Sequence, residues 1–370
     1  MVSLRIYSVW LCVFFLPLKT NAQRVICTFQ GINDSALKIV LPTDIINKRR
    51  AIIKAIWGSD HLPRRSDVIV SVNIVSPLHP EPIIARVDKM EIPSHIPVKQ
   101  GSVSINNLAY FFVPVNRNGK LMIVHHGHAC TFKDAQSGDK GYRMEATIIG
   151  FLRAGYDVLA VYMPQASEIS CSMDHCGIIN TDLGIQNPSG TFGLRLFLEP
   201  TIVSLNYLLK KNAYKNVDMM GLSGGGWTTT IIAAIDDRIK FSFPVAGSIP
   251  LYLRWGQSIG DVEQFLPGLY RDIASYPDLY ILGSYGEGRK QVQILNLYDN
   301  CCFGQQQYNP NQNYKTEIHA YAQRVKDRLN DLGAKDHYDL VIDTVAQSHQ
   351  VSTYALNNII LPGLSSQITK

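Results

Sequence analysis

The stretch DMMGLSGGGWTTT, residues 218–230, places Ser223 inside the pattern Gly-x-Ser-x-Gly and adds a further glycine after it. Apolar residues before the serine predict a buried strand, and the run after it predicts a helix. A serine at so sharp a strand-to-helix turn takes a strained backbone conformation that lifts its hydroxyl above the sheet. On either side, Gly221 and Gly225 stand where a Cβ would meet neighbouring backbone. The pattern predicts a nucleophilic serine; the alternative is a glycine-rich turn with an incidental serine.

A serine hydroxyl attacks only when a base removes its proton and a third group orients that base. His349 lies in AQSHQVS, a short loop between the predicted strand HYDLVIDT and the last predicted helix. From there an imidazole can reach back over the sheet, although a capping or surface histidine is the alternative. Asp299, which ends the apolar strand QVQILNLYD, is the predicted acid. Asp343 is its main rival, and Asp261 and Glu263 follow the preceding strand less tightly.

The oxyanion of an acyl-transfer intermediate needs two backbone donors placed in advance. The N–H of Gly224, directly after the serine, is the first candidate. The loop that follows LMIVHHGHAC supplies the second, with the His128 N–H favoured and Gly127 next. His125, His126 and His128 could instead be metal ligands, but no carboxylate or cysteine set accompanies them at useful spacing. We therefore predict no metal and no cofactor.

Aromatic residues also lie close to the predicted strand ends. They are Tyr162, Trp227 and Tyr298. They are candidates for lining a substrate pocket, and each could equally belong to the core.

The elements that must position these residues alternate between strand and helix from about residue 108 onward. This order predicts an α/β fold with a mainly parallel, doubly wound sheet covered on both faces, and the chemistry past the carboxyl ends of the strands. The strands LAYFFVPV and KLMIVHHG are predicted to form a hairpin through NRNGK. Residues 108–370 form the predicted catalytic domain, with a polar cap insert at 165–192.

Residues 23–107 are predicted as an N-terminal extension packed on that domain. They contain a helix with Thr43 as its N-cap and Gly58 as its stop. The alternating stretch DVIVSVNIV, residues 67–75, predicts a half-buried strand.

Residues 1–22 have the features of a secretory signal peptide, with one arginine, an apolar stretch and small residues before a cleavage point after Ala22. The apolar stretch is shorter than the ~20 residues that a spanning helix needs. An uncleaved anchor is the alternative, and no other segment is predicted to cross a membrane. We therefore expect a secreted or periplasmic protein.

Loss of the leader removes Cys12 and leaves an even number of cysteines. They are Cys27, Cys130, Cys171, Cys176, Cys301 and Cys302. An even count in an oxidising compartment favours disulfides. The short loop CSMDHC predicts a bridge between Cys171 and Cys176. Cys301 and Cys302 either form a vicinal bridge or pair elsewhere. A zinc site is disfavoured, because the sequence contains no CxxC pair.

The overall composition excludes some partner classes. The 370 residues are 46% apolar and 18% charged, with a formal net charge of +5 that includes two leader cations. So small a bias gives no argument for nucleic acid or an anionic membrane.

The chain order of strand and His-Gly loop, serine turn, Asp and His resembles the α/β-hydrolase superfamily over about residues 105–365. The resemblance implies that Ser223 is the nucleophile, His349 the base and Asp299 the acid, with Gly224 and His128 as the oxyanion hole. Gly-x-Ser-x-Gly-Gly also resembles the prolyl-oligopeptidase branch and its related secreted acetyl esterases.

The function that this resemblance implies is an exported serine hydrolase that cleaves carboxylic esters of short acyl groups or of carbohydrates. The expected partner is a small-molecule or glycan ester. Lipid esters are disfavoured because the cap insert is polar. The peptidases of that branch carry a β-propeller, for which residues 24–107 are too few. A thioesterase, or a non-catalytic binding protein with the same fold, would also be compatible with these residues.

Overall fold

The computed structural model describes residues 27–97, 102–128, 143–164, 174–181, 190–255, 259–304 and 314–365. The leader, Cys130, Cys171 and most of the predicted cap insert lie outside these ranges. Among the described residues, no helix is both long enough and apolar enough to span a bilayer.

The strands of the described residues form one nine-stranded sheet in the order β1-β2-β3-β5-β4-β6-β7-β8-β9. They are β1 Ile69–Ser71, β2 Ile84–Pro97, β3 Ser102–Pro114, β4 Leu121–His125, β5 Asp157–Val161, β6 Val217–Leu222, β7 Ile239–Val245, β8 Lys290–Asn296 and β9 Tyr338–Asp343. The strands from β4 to β9 pair in parallel, whereas β2 pairs antiparallel with both β1 and β3, and β3 pairs antiparallel with β5. The predicted mainly parallel sheet is confirmed.

Helices cover both faces of this sheet. They are α1 Pro42–Trp57, α2 Met144–Arg153, α3 His175–Thr181, α4 Arg195–Lys211, α5 Gly224–Ile235, α6 Pro267–Tyr270, α7 Tyr276–Ser284, α8 Tyr314–Asp331 and α9 Leu361–Ser365. Strand β4 shows why two layers are needed, because Leu121 and Ile123 join one hydrophobic core and Met122 and Val124 join the other. Alternate side chains of a strand point to opposite faces of the sheet. A strand that is apolar throughout therefore needs helices packed on both faces.

The predicted hairpin between β3 and β4 is wrong. Both strands exist, but β5 lies between them and pairs antiparallel with β3 and parallel with β4. The connecting segment still turns at Gly119, whose φ is +79°. The turn at Gly119 therefore forms as predicted, but the insertion of β5 keeps β3 and β4 from pairing with each other.

The start of α1 also differs from the prediction. The helix begins at Pro42 with Leu41 as its N-cap, and Thr43 lies inside it. The carboxylate of Asp44 accepts the backbone N–H groups of Val40 and Leu41 at 2.9 and 2.8 Å, which caps the first turn from within. Gly58 ends the helix with a φ of 71°, as predicted.

The extension and the catalytic part share one sheet. Residue 107 lies inside β3, and β2 pairs with β3 along nearly its whole length. From α1, Arg49 donates to the backbone carbonyls of Ala234 and Leu282 at 2.9 and 3.2 Å. Of the predicted strand at 67–75, only Ile69–Ser71 is a strand, and it pairs antiparallel with β2.

Cys176 forms a disulfide with Cys27, so the predicted bridge to Cys171 is wrong. The two bonded cysteines are 149 positions apart in the chain. Sequence spacing favoured the nearest cysteine, whereas the fold brings the start of the extension against α3. The bond therefore ties the extension to the helix that begins at His175.

Candidate active site

Ser223 occupies the sharp turn between β6 and α5. Its φ of 60° and ψ of −128° lie in a region that residues with a Cβ rarely adopt. The turn is held on both sides, because the Ser223 N–H donates to the Val245 carbonyl at 2.9 Å and its carbonyl accepts the Trp227 N–H at 2.9 Å. Such strain persists only where the surrounding structure imposes it, and it is concentrated at functional sites.

The glycines around Ser223 allow backbones to approach closely. A Cβ on Gly221 would lie 2.2 Å from the Gly225 carbonyl oxygen, and one on Gly225 would lie 2.1 Å from the His125 carbonyl oxygen. A Cβ on Gly127 would lie 2.7 Å from the Ser223 Cβ. Real Cβ atoms do not approach other heavy atoms so closely, so these positions exclude any larger residue. The predicted collisions at Gly221 and Gly225 are confirmed.

The structure brings His349 and Asp299 together. His349 Nδ1 lies 2.8 Å from Asp299 Oδ2, and both side chains are buried. The other oxygen, Oδ1, accepts the backbone N–H groups of Cys301 and Cys302 at 2.8 and 2.9 Å. Burial alone would lower the pKa of His349, but the hydrogen bond and charge of Asp299 outweigh burial and raise it. The arrangement fixes the ring and favours the proton on Nδ1.

Asp343, the rival acid, has a different task. Its Oδ1 accepts the N–H groups of Val345 and Ala346 at 2.8 and 3.1 Å, and its Oδ2 accepts the Ser352 hydroxyl. The carboxylate therefore shapes both ends of the loop that carries His349. The described contacts of Asp343 do not include the imidazole.

Cys301 and Cys302 lie beside His349 and Asp299, which the sequence did not predict. Their sulfurs are 2.7 Å apart and are not joined by a disulfide. Both sulfurs and a ring nitrogen of His349 lie within 4.8 Å of one another. Cys301 and burial raise the pKa of the Cys302 thiol, and the Ser223 side chain acts in the opposite direction. The structure thus brings the imidazole and the carboxylate together with the thiol pair beside them, and Ser223 lies at the same edge of the sheet.

The candidate oxyanion donors lie next to the serine. Gly127 packs against the Ser223 side chain, and the ring of His128 packs against Gly224, where a Cβ would lie 2.4 Å from His128 Cε1. His125 and His126 are fully buried, and burial lowers their pKa values to about 4 and about 3. Both imidazoles are therefore neutral at ordinary pH.

The side chain of His128 belongs to a polar cluster that the sequence did not predict. Its Nε2 lies 3.1 Å from an oxygen of Asp261 and 3.1 Å from Oε1 of Glu263. The other Glu263 oxygen lies 3.0 Å from Nδ1 of His175. Burial would raise the pKa of Glu263, but the two imidazoles lower it well below its usual range. Residues far apart in sequence form this cluster, so spacing gave no signal.

The three candidate pocket aromatics lie in different environments. Trp227 is fully buried and donates to the Tyr270 hydroxyl at 2.6 Å. Tyr162 is 1% exposed and stacks on His126 with ring centroids 4.3 Å apart. Tyr298 is 42% exposed and lies next to Asp299 in the chain. Trp227 and Tyr162 are buried and expose almost no surface that a substrate could contact. The structure therefore does not support their predicted role in a pocket.

Comparison with solved structures identifies the fold. A glucuronoyl esterase from Solibacter usitatus superposes with a TM-score of 0.57 at 15% identity, over 94% of this chain and 99% of that one. An acetyl xylan esterase from Paenibacillus sp. R4 gives 0.51 at 14% identity, over 90% and 97%. A methylesterase gives 0.50 at 13% identity, over 85% of this chain, which spans only 61% of that longer protein. The sequence matches no protein-family model and no curated protein.

At these identities the likeness establishes the fold alone, which is that of the α/β hydrolases. The resemblance predicted from the serine turn and the order of Ser, Asp and His is confirmed at that level. In this fold the loops past the carboxyl ends of the strands carry the site. Ser223, Asp299 and His349 follow β6, β8 and β9 at that same edge of the sheet.

Proposed function

We propose that this chain is a serine hydrolase that cleaves carboxylic esters through an acyl-enzyme on Ser223. The observation that carries the proposal is the 2.8 Å contact between His349 and Asp299, at the same edge of the sheet as a serine held in a strained turn. Because Asp299 holds the proton on Nδ1, Nε2 of His349 is the nitrogen that can accept the serine proton. Ser223 then acts as nucleophile, His349 as base and Asp299 as the orienting acid.

Backbone donors complete the proposed mechanism. The N–H groups of Gly224 and His128, with Gly127 as the alternative to His128, would stabilise the oxyanion of each tetrahedral intermediate. Loss of one such donor typically costs about 3–4 kcal/mol of the transition-state stabilisation. The protonated His349 then gives its proton to the leaving alcohol, and a water activated by the same imidazole hydrolyses the acyl-enzyme.

The substrate class that we propose is a short acyl or carbohydrate-linked ester. It is supported by the structural neighbours, whose names describe esterases of acetyl xylan and of glucuronoyl groups. A peptidase of the prolyl-oligopeptidase type finds less support. The extension that precedes the catalytic part is built into the main sheet through β1, β2 and β3 and does not form a separate unit of its own.

We also propose that the protein works outside the cytoplasm. The disulfide between Cys27 and Cys176 supports this location, since structural disulfides persist in oxidising compartments. The leader predicted at residues 1–22 supplies the route of export.

A fluorophosphonate probe and a substrate panel test the function together. We expect the probe to label the wild type and not Ser223→Ala, because the probe captures only an activated serine. We expect acetylated sugars and short p-nitrophenyl esters to be cleaved in preference to aminoacyl amides. Asp343→Asn serves as the matched variant that keeps the triad, and it should still be labelled.

Either of two results would overturn the proposal. A wild type that stays unlabelled and hydrolyses no ester would indicate a binding protein with this fold. Equal labelling of Ser223→Ala would place the reactive group elsewhere.

A further inference from the structure

The side chains of His128, His175, Asp261 and Glu263 form a polar cluster, and the mechanism above uses none of these side chains. One potential ligand atom from each of these residues lies within 4.8 Å of the others. The residues come from three separate segments, which are the loop after β4, the start of α3 and the loop after β7. So many imidazole and carboxylate groups do not converge without a reason, because a buried polar group is costly unless it is paired.

The cluster contains two carboxylates, from Asp261 and Glu263. Glu263 is fully buried, and within the described ranges its salt-bridge partners are the two imidazoles, with no lysine or arginine among them. Asp261 adds a second carboxylate beside His128. The two carboxylates together can balance the charge of one divalent cation, and carboxylate oxygens are among the ligands of such ions.

The orientation of His175 points to the same conclusion. The side chain is 6% exposed, and its Nδ1 contacts Glu263 at 3.0 Å. Its buried Nε2 has no hydrogen-bond partner among the described residues. Among the described residues, the polar contact of the His175 ring is therefore the one that Nδ1 makes with Glu263, inside the cluster. The disulfide at the next residue, Cys176, fixes the start of the helix that carries it.

The spacing suits a tetrahedral metal ion. Nitrogen and oxygen ligands lie about 2.0–2.2 Å from zinc, which places neighbouring ligand atoms about 3.3–3.6 Å apart. The contacts of His128 with Asp261 and Glu263 are both 3.1 Å, so shifts of a few tenths of an ångström would make room for an ion. Mixed imidazole and carboxylate ligands suit zinc-like transition metals, whereas calcium and magnesium prefer oxygen alone.

We propose that His128, His175, Asp261 and Glu263 bind one divalent transition-metal ion of the zinc class. The ion joins the loop after β4 to α3 and to the loop after β7. Its role is structural, because it holds His128, whose ring packs against Gly224 beside the serine. This site goes beyond the proposed esterase function, and its test does not depend on that function.

Zinc titration of the chelator-stripped full chain tests the site. By calorimetry and metal analysis we expect one zinc per chain, and by thermal unfolding a rise in Tm of several degrees on saturation. Glu263→Gln keeps the shape but removes the charge and should weaken zinc binding by about 100-fold or more, since changes outside the ligand set already cost about 10–100-fold. Asp261→Asn, at a half-exposed side chain, should weaken it without endangering the fold.

Two control variants separate this site from other binding. His79→Ala removes an exposed histidine that pairs with Glu145, and it should bind zinc as the wild type does. Cys301, Cys302 and His349 form a second group of potential metal ligands. Cys302→Ser removes one thiol from that group, and this variant should bind zinc as the wild type does.

Several outcomes would overturn the proposal. The first is a wild type that retains no zinc and shows no change in Tm. The second is a zinc affinity in Glu263→Gln and in Asp261→Asn that equals the wild-type affinity. The third is loss of zinc in Cys302→Ser alone. Binding of calcium or magnesium in preference to zinc would overturn the metal class. If Glu263→Gln fails to fold, Asp261→Asn decides the question.

Discussion

Replacement of Asp299 by Asn tests the orienting carboxylate with the smallest change in shape. Oδ1 accepts two backbone N–H groups, from Cys301 and Cys302, so the oxygen of an asparagine amide would have to occupy that position. The amide NH₂ would then face His349 Nδ1, 2.8 Å away in the wild type. Two donors would oppose each other, and the ring would move its proton to Nε2, which disables the base.

The expected loss follows from this geometry. A hydrogen bond to a charged group contributes about 1.5–3 kcal/mol, which alone is a loss of about 10–150-fold. The wrong tautomer adds to it, and the same exchange in a serine protease lowers kcat by about 10⁴, or about 5.4 kcal/mol. We therefore expect kcat for p-nitrophenyl acetate to fall by about 10³–10⁴ in Asp299→Asn.

Asp343→Asn is the matched control, because Asp343 is also buried and also accepts two backbone N–H groups through Oδ1. An asparagine oxygen can still accept the two loop N–H groups, so this variant should lose about 1 kcal/mol of stability through the contact with Ser352, and its kcat should fall far less than that of Asp299→Asn. Near-normal turnover in Asp299→Asn, or an equal loss in Asp343→Asn, would refute the assignment. Circular dichroism of both variants guards against misfolding.

Three further perturbations have defined outcomes. Gly225→Ala should lose several kcal/mol of unfolding free energy in a urea titration, because its Cβ would lie 2.1 Å from a backbone oxygen. Gly363→Ala, whose Cβ would meet only ordinary contacts at 3.5 Å, should unfold close to the wild type. The pH profile of kcat/KM should rise with a midpoint above 6.5, because Asp299 raises the pKa of His349 and only the neutral ring can accept a proton. Cys27→Ser should lower the free energy of unfolding by up to about 5 kcal/mol, since it opens a loop of 149 positions.

Each of these expectations has a clear counter-result. Equal stability of the two glycine variants would mean that the turn is looser than described. An acidic limb centred below 6.5 would mean that Asp299 does not favour the protonated ring. For the disulfide, the same unfolding midpoint in Cys27→Ser and in the wild type would mean that the bond does not constrain the chain.

The local chemistry of the site was predictable because it depends on short stretches. Gly-x-Ser-x-Gly between an apolar strand and a helix placed Ser223 correctly at a strained turn. Asp299 was favoured over Asp343 because an apolar strand stops abruptly at Asp299-Asn300, whereas Asp343 lies at the tip of its strand. In the structure Asp299 contacts His349, and Asp343 accepts N–H groups from the turn that follows it.

Long-range placement was not predictable from the same signals. The pairing of Cys27 with Cys176 and the insertion of β5 between β3 and β4 depend on how distant segments meet. The position of Cys301 and Cys302 beside the imidazole depends on the turn that follows β8. Sequence spacing favours near partners, and the tertiary fold overrides it in each of these cases.

Trapping the acyl-enzyme tests the central claim most directly. The chain is mixed with an acetyl ester, quenched in acid within the first turnover and digested for mass spectrometry. We expect one acetyl group on the peptide that contains Ser223, and none in Ser223→Ala. An acetyl group on Cys301 or Cys302 instead, or turnover with no acylated residue at all, would contradict the account.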